Sequence, residues 1–386
     1  MDSFIYEYPI KTYFGKDCVK KHLDNLLKNY GATVLLAYGG GSIKQNGIYE
    51  QITEVLKSAE KTIVEFSGIM PNPTYEKVQE GAALVRKNRV DFILAVGGGS
   101  VIDCCKIVAA QAKTEADVWK MEFSEHRYPS EWIPMGAIVT ASGTGAEMNN
   151  GAVITNETEK IKAGLLGAYA DFAMLDPAYT LSLPMEQVVS GAFDTLSHCM
   201  ETYFGKPNQI TLSDEIAEAV MRNTIRNLRL VVENPQNMDA RSELMWASAM
   251  GENGILKIGK VTDFQAHQIE HQLGAYTDCN HGKGLAVIHP VLYRHIYKYS
   301  VKRFARFAKE VWGISTEEKN EKEMALAGIN ALSDFIKEIW MPTTLEEMGI
   351  TDEKILQAVA DTCNITAGCC KKLERSEIFE ILKECL

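Results

Sequence analysis

Apolar and polar positions are arranged differently on the two sides of Pro184. Before it, short continuous apolar runs alternate with amphipathic stretches. Thr33–Tyr38 (TVLLAY), Thr62–Phe66, Asp91–Val96 (DFILAV), Ile133–Thr140 and Phe172–Leu175 read as strands. Ile48–Lys57, Tyr75–Lys87 and Val101–Ala112 carry helical spacing, with the Pro71-Asn72-Pro73 turn ahead of the second. Strands apolar on both faces belong inside a parallel sheet covered by helices on each side. Beyond Pro184 the period is helical almost throughout. The segments are Met185–Tyr203, Ile210–Glu233, Ala240–Leu256, Val261–Leu273, Gly284–Tyr299, Val301–Val311, Glu321–Trp340 and Ser376–Leu386. The chain's 386 residues exceed what one core usually supports. The pattern therefore predicts an α/β parallel-sheet domain over 1–183 and an all-helical domain over 184–386.

The helical half carries a set of polar exceptions. Asp194 and His198 are four residues apart, as are His267 and His271, and His281 follows. Positions i and i+4 share a helix face, so each pair can present two groups to one point. A single histidine on an apolar face is ordinarily a hydrogen-bonded core residue. Here four of the chain's 8 histidines fall between residues 194 and 281. Imidazole nitrogen with one carboxylate oxygen suits Fe(II) or Zn(II) better than Mg or Ca, which prefer oxygen throughout.

The sheet half offers glycine loops. Gly97-Gly98-Gly99-Ser100 follows a strand and opens a helix, where backbone N–H groups can approach a pyrophosphate. It is neither GxGxxG nor a P-loop, and by itself it is equally compatible with a tight turn. Gly39-Gly40-Gly41-Ser42 also ends a strand. An NAD-selective site commonly places Asp or Glu at such a strand end to bind the ribose 2′-hydroxyl. Glycine there, with the Ser42 hydroxyl and Lys44, favours the 2′-phosphate of NADP. A third small-residue segment, Thr140–Glu147 (TASGTGAE), follows a later strand, and Lys162 interrupts an apolar stretch (IKAGLL).

The net charge of −11 is spread without a basic stripe, which argues against nucleic-acid partners. No apolar run is long enough to span a bilayer, and Met1–Lys11 lacks signal-peptide features. Nine cysteines, including the adjacent pairs Cys104–Cys105 and Cys369–Cys370 and no CxxC, point to a reducing, cytoplasmic setting. Cys199 and Cys279 neighbour candidate ligands, so their oxidation is expected to disturb the site.

These motifs together resemble the iron-containing, or group III, alcohol dehydrogenase family, in its NADPH-dependent butanol dehydrogenase and aldehyde reductase branch. The carriers are Gly15-Lys16, YGGGS at 38–42, PNP at 71–73, GGGSVIDCCK at 97–106 and TASGTGAE at 140–147. LDPAYTLSLP at 175–184, GAFDTLSH at 191–198, HQIEH at 267–271 and HGKGLA at 281–286 complete them. The resemblance implies metal ligation by Asp194, His198, His267 and His281, with His271 beside the metal as a proton carrier. It implies cofactor contacts at Gly39, Gly40, Ser42, Asn72, Gly98, Gly99, Ser100, Asp103, Thr140, Thr144, Asn149, Lys162 and Tyr179. It also implies a Rossmann-like first domain, a dehydroquinate synthase-like architecture with the site in the cleft, and a homodimer. The expected reaction is hydride transfer between NADP(H) and a short primary alcohol or aldehyde, on Fe(II) or else Zn(II).

One departure is TASGTGAE in place of the more usual TTAGTGSE, which keeps the first Thr and the GTG core. Competing readings are a zinc glycerol or polyol dehydrogenase, a dehydroquinate synthase-like lyase, and a metal-storing protein without turnover. The lyase requires a basic cluster for a phosphorylated acidic substrate, and only Lys162, Lys260 and Lys283 offer themselves. Phe264 and Tyr276 are candidates to line an apolar substrate pocket.

Overall fold

A computed structural model of the chain describes residues 3–206, 209–366 and 370–386. It divides into two compact units: Glu7–Pro184, and Met185–Leu386 with the described part of Met1–Tyr6.

The first unit runs β1 (Lys11–Phe14), α1 (Cys18–Leu27), β2 (Thr33–Tyr38), α2 (Ser42–Gln45), α3 (Ile48–Ser58), β3 (Thr62–Phe66) and α4 (Tyr75–Asn88). It continues with β4 (Phe92–Gly97), α5 (Gly99–Gln111), α6 (Val118–Phe123), β5 (Met135–Val139), β6 (Gly151–Asn156), β7 (Ile161–Leu166) and β8 (Phe172–Leu175). Six strands form one sheet in the order β1-β8-β5-β4-β2-β3, every pairing parallel. All six residues of β4 are buried, which is why DFILAV has no polar alternation. From β2 the chain steps outward to β3, then returns across β2 to β4. The strand order therefore reverses between β2 and β4, so ligands are expected beyond the carboxyl ends of these two strands. The two GGGS loops stand at those ends.

The antiparallel β6–β7 hairpin was not expected from the pattern. Its strands are short and interrupted by glycine, so they carry little periodic signal. Lys162 lies on β7, buried opposite Thr155.

The second unit is helical: α7 (Met185–Tyr203), α8 (Leu212–Glu233), α9 (Met238–Glu252), α10 (Gln265–Thr277), α11 (His281–Ile296), α12 (Val301–Glu310), α13 (Glu321–Glu338), α14 (Glu353–Thr362) and α15 (Arg375–Glu384). α7 has the bounds that its periodicity predicts. α9, α10 and α11 shift the most, each for a local reason. α10 starts only at Gln265, because Lys206 pairs with Val261 in an isolated bridge and Phe264 takes a positive φ of 55°. α9 starts at Met238 because Asn237 caps it through the Ala240 N–H. α11 starts at His281 because the Asn280 side chain accepts the Lys283 N–H. α1, α2, α6 and α14 were not anticipated.

Candidate active site

Three helices of the second unit bring the polar exceptions together. α7 supplies Asp194 and His198, α10 supplies His267 and His271, and His281 opens α11. The Nε2 atoms of His198, His267 and His281 lie 3.4, 3.5 and 3.4 Å from one atom, Asp194 Oδ1. Asp194, His267 and His281 form one set with ligand atoms mutually within 4.8 Å, and His198 adjoins it through Asp194. Glu270, His271 and His281 form a second set of the same tightness. The His271 ring sits 5.4 Å from that of His281 and 5.8 Å from that of His267.

The other ring nitrogens face three buried glutamates that the sequence reading did not single out. His198 Nδ1 is 2.9 Å from Glu252 Oε1. His267 Nδ1 meets Glu201 Oε2, and His281 Nδ1 meets Glu270 Oε2. A carboxylate at Nδ1 holds the proton there and leaves Nε2 as a lone-pair donor, the arrangement that orients metal-binding imidazoles. Glu201 also accepts the N–H groups of Ala266 at 2.6 Å and His267 at 3.1 Å, so it anchors the first turn of α10. Lys257 Nζ holds Glu252 at 2.7 Å.

Glycines let the helices come this close. A Cβ on Gly282 would lie 2.5 Å from the Ser190 carbonyl oxygen, and one on Gly284 would lie 2.8 Å from Glu270 Cγ. HGKGLA is therefore a packing motif that seats α11 against α7 and α10. Ser190 Oγ donates to Asn280 Oδ1 at 2.8 Å, fixing the cap that precedes His281.

The donor set fits a divalent cation. Asp194 Oδ1 and His267 Nε2 are buried and, among the described residues, have no directed hydrogen bond. Three Nε2 lone pairs around a carboxylate oxygen repel one another unless a cation or protons stand between them. Burial opposes ionisation of Asp194, but the charges of His198 and His281 and the close approach of the His267 and His281 rings hold its carboxyl well below the usual range. Burial also opposes protonation of His267, but Glu201 and Asp194 outweigh it and raise this imidazole to about 10. Protons thus occupy the site's positive role when no metal is bound.

In the first unit, the Gly68 N–H donates to the Gly39 carbonyl at 3.1 Å, and Ser100 Oγ donates to the Pro71 carbonyl. The loops after β2 and β4 are thereby tied to the segment around Asn72. The Gly97 carbonyl extends the set, accepting the Thr140 N–H at 2.9 Å. Gly99 is required by packing: its Cβ would fall 2.2 Å from Thr144 Oγ1. Gly40 differs, because its φ is not positive and a Cβ there would meet nothing within 4 Å. The protein itself gives no reason for glycine at 40, whereas close approach of a ligand to the backbone does.

The remaining expected contact residues have structural partners as well. Asp103 Oδ2 accepts the Val153 N–H at 2.9 Å, and its other oxygen lies 3.5 Å from the buried Lys106 ammonium. Asn149 Oδ1 accepts from the Gly151 N–H at 3.0 Å and from Lys106 at 3.1 Å. Tyr179 is buried in the core cluster that holds Val19, Leu23 and Tyr38.

Comparison with known proteins defines the class. The sequence profile of the iron-containing alcohol dehydrogenases matches residues 9–177, and that of the family's C-terminal domain matches 188–386. The chain belongs to the iron-containing alcohol dehydrogenase family. It is 36% identical to NADH-dependent butanol dehydrogenase B of Clostridium acetobutylicum over the full length of both chains. It is 34% identical to NADPH-dependent aldehyde reductase YqhD of Escherichia coli, covering 92% of this chain and 91% of that one. The crystal structure of NADH-dependent butanol dehydrogenase A from Thermotoga maritima superposes with a TM-score of 0.94 at 36% identity, covering 100% of this chain and 99% of that one.

Proposed function

We propose that this alcohol dehydrogenase interconverts short primary alcohols and aldehydes, prefers NADP(H) to NAD(H), and holds one divalent ion, Fe(II) before Zn(II). The ligands in this reading are Asp194, His198, His267 and His281. The observation that carries it is the convergence of three Nε2 atoms on Asp194 Oδ1 with a glutamate behind each ring. When bound, the ion supplies Lewis acidity toward the substrate oxygen, and the nicotinamide supplies or accepts the hydride.

The chain's own groups do the rest. Glu201, Glu252 and Glu270 keep protons on Nδ1 and so fix the direction of each ring. Asp194 reduces the net charge of the site. His271, beside His281, exchanges the proton that accompanies hydride transfer. Phe264, whose ring lies 5.0 Å from that of His267, offers an apolar wall for a short alkyl chain. In the first unit, the N–H groups of Gly98, Gly99 and Ser100 serve the pyrophosphate, and Gly39, Gly40 and Ser42 serve the adenosine ribose.

The NADP(H) clause rests on glycine at position 39, where a carboxylate would repel a 2′-phosphate. The relatives' names include both nicotinamide cofactors, so selectivity needs its own measurement. Lys260 is buried against Asp214 and Lys283 pairs with Glu186, which weighs against the lyase alternative. Every described cysteine is a free thiol, in keeping with a cytoplasmic protein. No helix among the described residues is long and apolar enough to cross a membrane. A homodimer remains part of the proposal.

The test is an anaerobic preparation assayed for metal content and for butanal reduction with NADPH and NADH. One ion per chain and faster turnover with NADPH are expected. A chain that retains no ion overturns the metal reading, and a preference for NADH overturns the cofactor clause.

A further inference from the structure

Beside the Gly39–Ser42 loop lies a charged group that the mechanism above does not use. Glu65, in β3, accepts hydrogen bonds from two phenols: Tyr38 Oη to its Oε2 at 2.5 Å, and Tyr49 Oη to its Oε1. Lys44, in α2, places its ammonium 3.5 Å from the same Oε2. That ammonium also lies over two rings, 5.0 Å from the centroid of Tyr38 and 4.5 Å from that of Tyr49. Three side chains, from β2, α2 and α3, thus close on one carboxylate of β3, and two of them flank the loop in sequence. The phenols' hydrogen bonds, with Lys44, hold Glu65 below the usual carboxylate range, so it is anionic at neutral pH.

The arrangement has an electrostatic meaning. Lys44 is pinned by a carboxylate and two ring faces, so its position is defined. Its charge is offset by Glu65, and an ammonium–carboxylate pair attracts a distant phosphate far less than a lone ammonium does. A ribose 2′-hydroxyl barely responds to this difference, whereas a 2′-phosphate responds fully. Both groups are close to half exposed, 45% and 44%, so solvent and salt keep the effect modest.

We propose that Glu65 is a specificity-determining residue, setting the balance between NADPH and NADH by controlling how much of the Lys44 charge a 2′-phosphate meets. The proposal rests on the reading that the Gly39–Ser42 loop receives the adenosine ribose. It makes the cofactor preference a tuned quantity instead of a fixed consequence of glycine at 39.

The experiment measures kcat/KM for NADPH and NADH, with butanal, in the wild type, E65Q, K44M and the double variant. Glutamine keeps the shape of the side chain and removes its charge. E65Q should raise the NADPH-to-NADH ratio roughly threefold, the size of an exposed charge pair. The gain should sit in KM and shrink as salt is added. K44M should lower the ratio, and in its background E65Q should gain less. A ratio unmoved by E65Q but moved by K44M overturns the role of Glu65. A ratio unmoved by either overturns the placement of the ribose at this loop, and the proposal with it. A wild type that prefers NADH overturns the NADP(H) preference alone, because the Glu65 test reads only the change in the ratio.

Discussion

Around Asp194, the proposed site is built of side chains: three imidazoles, a carboxylate, and a buried glutamate behind each ring. Around Gly40, the proposed cofactor site is defined by side chains that are missing, leaving bare backbone at the ends of β2 and β4. The first kind of site is stiff and tolerates little change, because each donor is held by a partner that is itself buried. The second is permissive. Its selectivity depends on charges set around it, such as Lys44 and Glu65, and such charges act weakly through solvent.

Substitutions should expose this difference, the largest effects falling in the helical unit. His267→Ala should remove the ion and lower turnover on the order of 10³-fold. Metal content equal to the wild type's would refute its assignment as a ligand. His271→Ala should keep the ion and lose roughly 10²-fold in kcat, the contribution of a positioned proton carrier. Loss of the ion instead would make His271 a ligand. Glu270→Gln should weaken metal retention by about 10- to 100-fold in a chelator competition, through His281.

Two glycines sharpen the comparison at lower energy. Gly282→Ala should destabilise the fold by about 1–3 kcal/mol in thermal denaturation, because its Cβ meets the Ser190 backbone. Gly40→Ala should leave the melting temperature alone and raise KM for the cofactor. A Gly40 variant that loses stability but binds cofactor normally would mean that the glycine is structural.

A last prediction concerns pH. In the metal-free protein His267 titrates at about 10, above the 6.5 of the unfolded chain. Its stabilising contribution is complete below pH 6.5 and is lost as pH rises toward 10. Metal binding must displace that proton, so apparent affinity should climb over the same interval. An affinity independent of pH there would show that His267 is already neutral.

The same contrast explains what the sequence disclosed. Asp194–His198 and His267–His271 were legible because helical spacing converts a four-residue interval into a shared face. The glutamates were not. Glu201 stands three residues after His198 yet serves His267 on another helix, and Glu270 lies within HQIEH yet serves His281 on the next. Only the packing of α7, α10 and α11 assigns these partners. A glutamate in an otherwise apolar helical stretch, as in CMETY, was the available signal. The strands of the parallel sheet were legible because burial on both faces leaves an unbroken apolar run. The β6–β7 hairpin was not, since Gly151 and Gly164 dilute its pattern. Glycine loops announced a ligand in general terms, while the interaction of Lys44 with Glu65 spans two elements and shows only in three dimensions.

The thiols have a bearing on how this protein ages in air. Cys199, one position from His198, is fully buried, and burial pushes its thiol up; Cys104 is likewise raised to about 12. Sulfur held in that protonated form reacts sluggishly with peroxide or alkylating agents. Cys279 is the exception near the donor cluster: it is only half buried, and its Sγ lies 3.9 Å from Glu270 Oε1. Oxidation of Cys279 would therefore reach His281 through Glu270, the carboxylate beside its Nδ1.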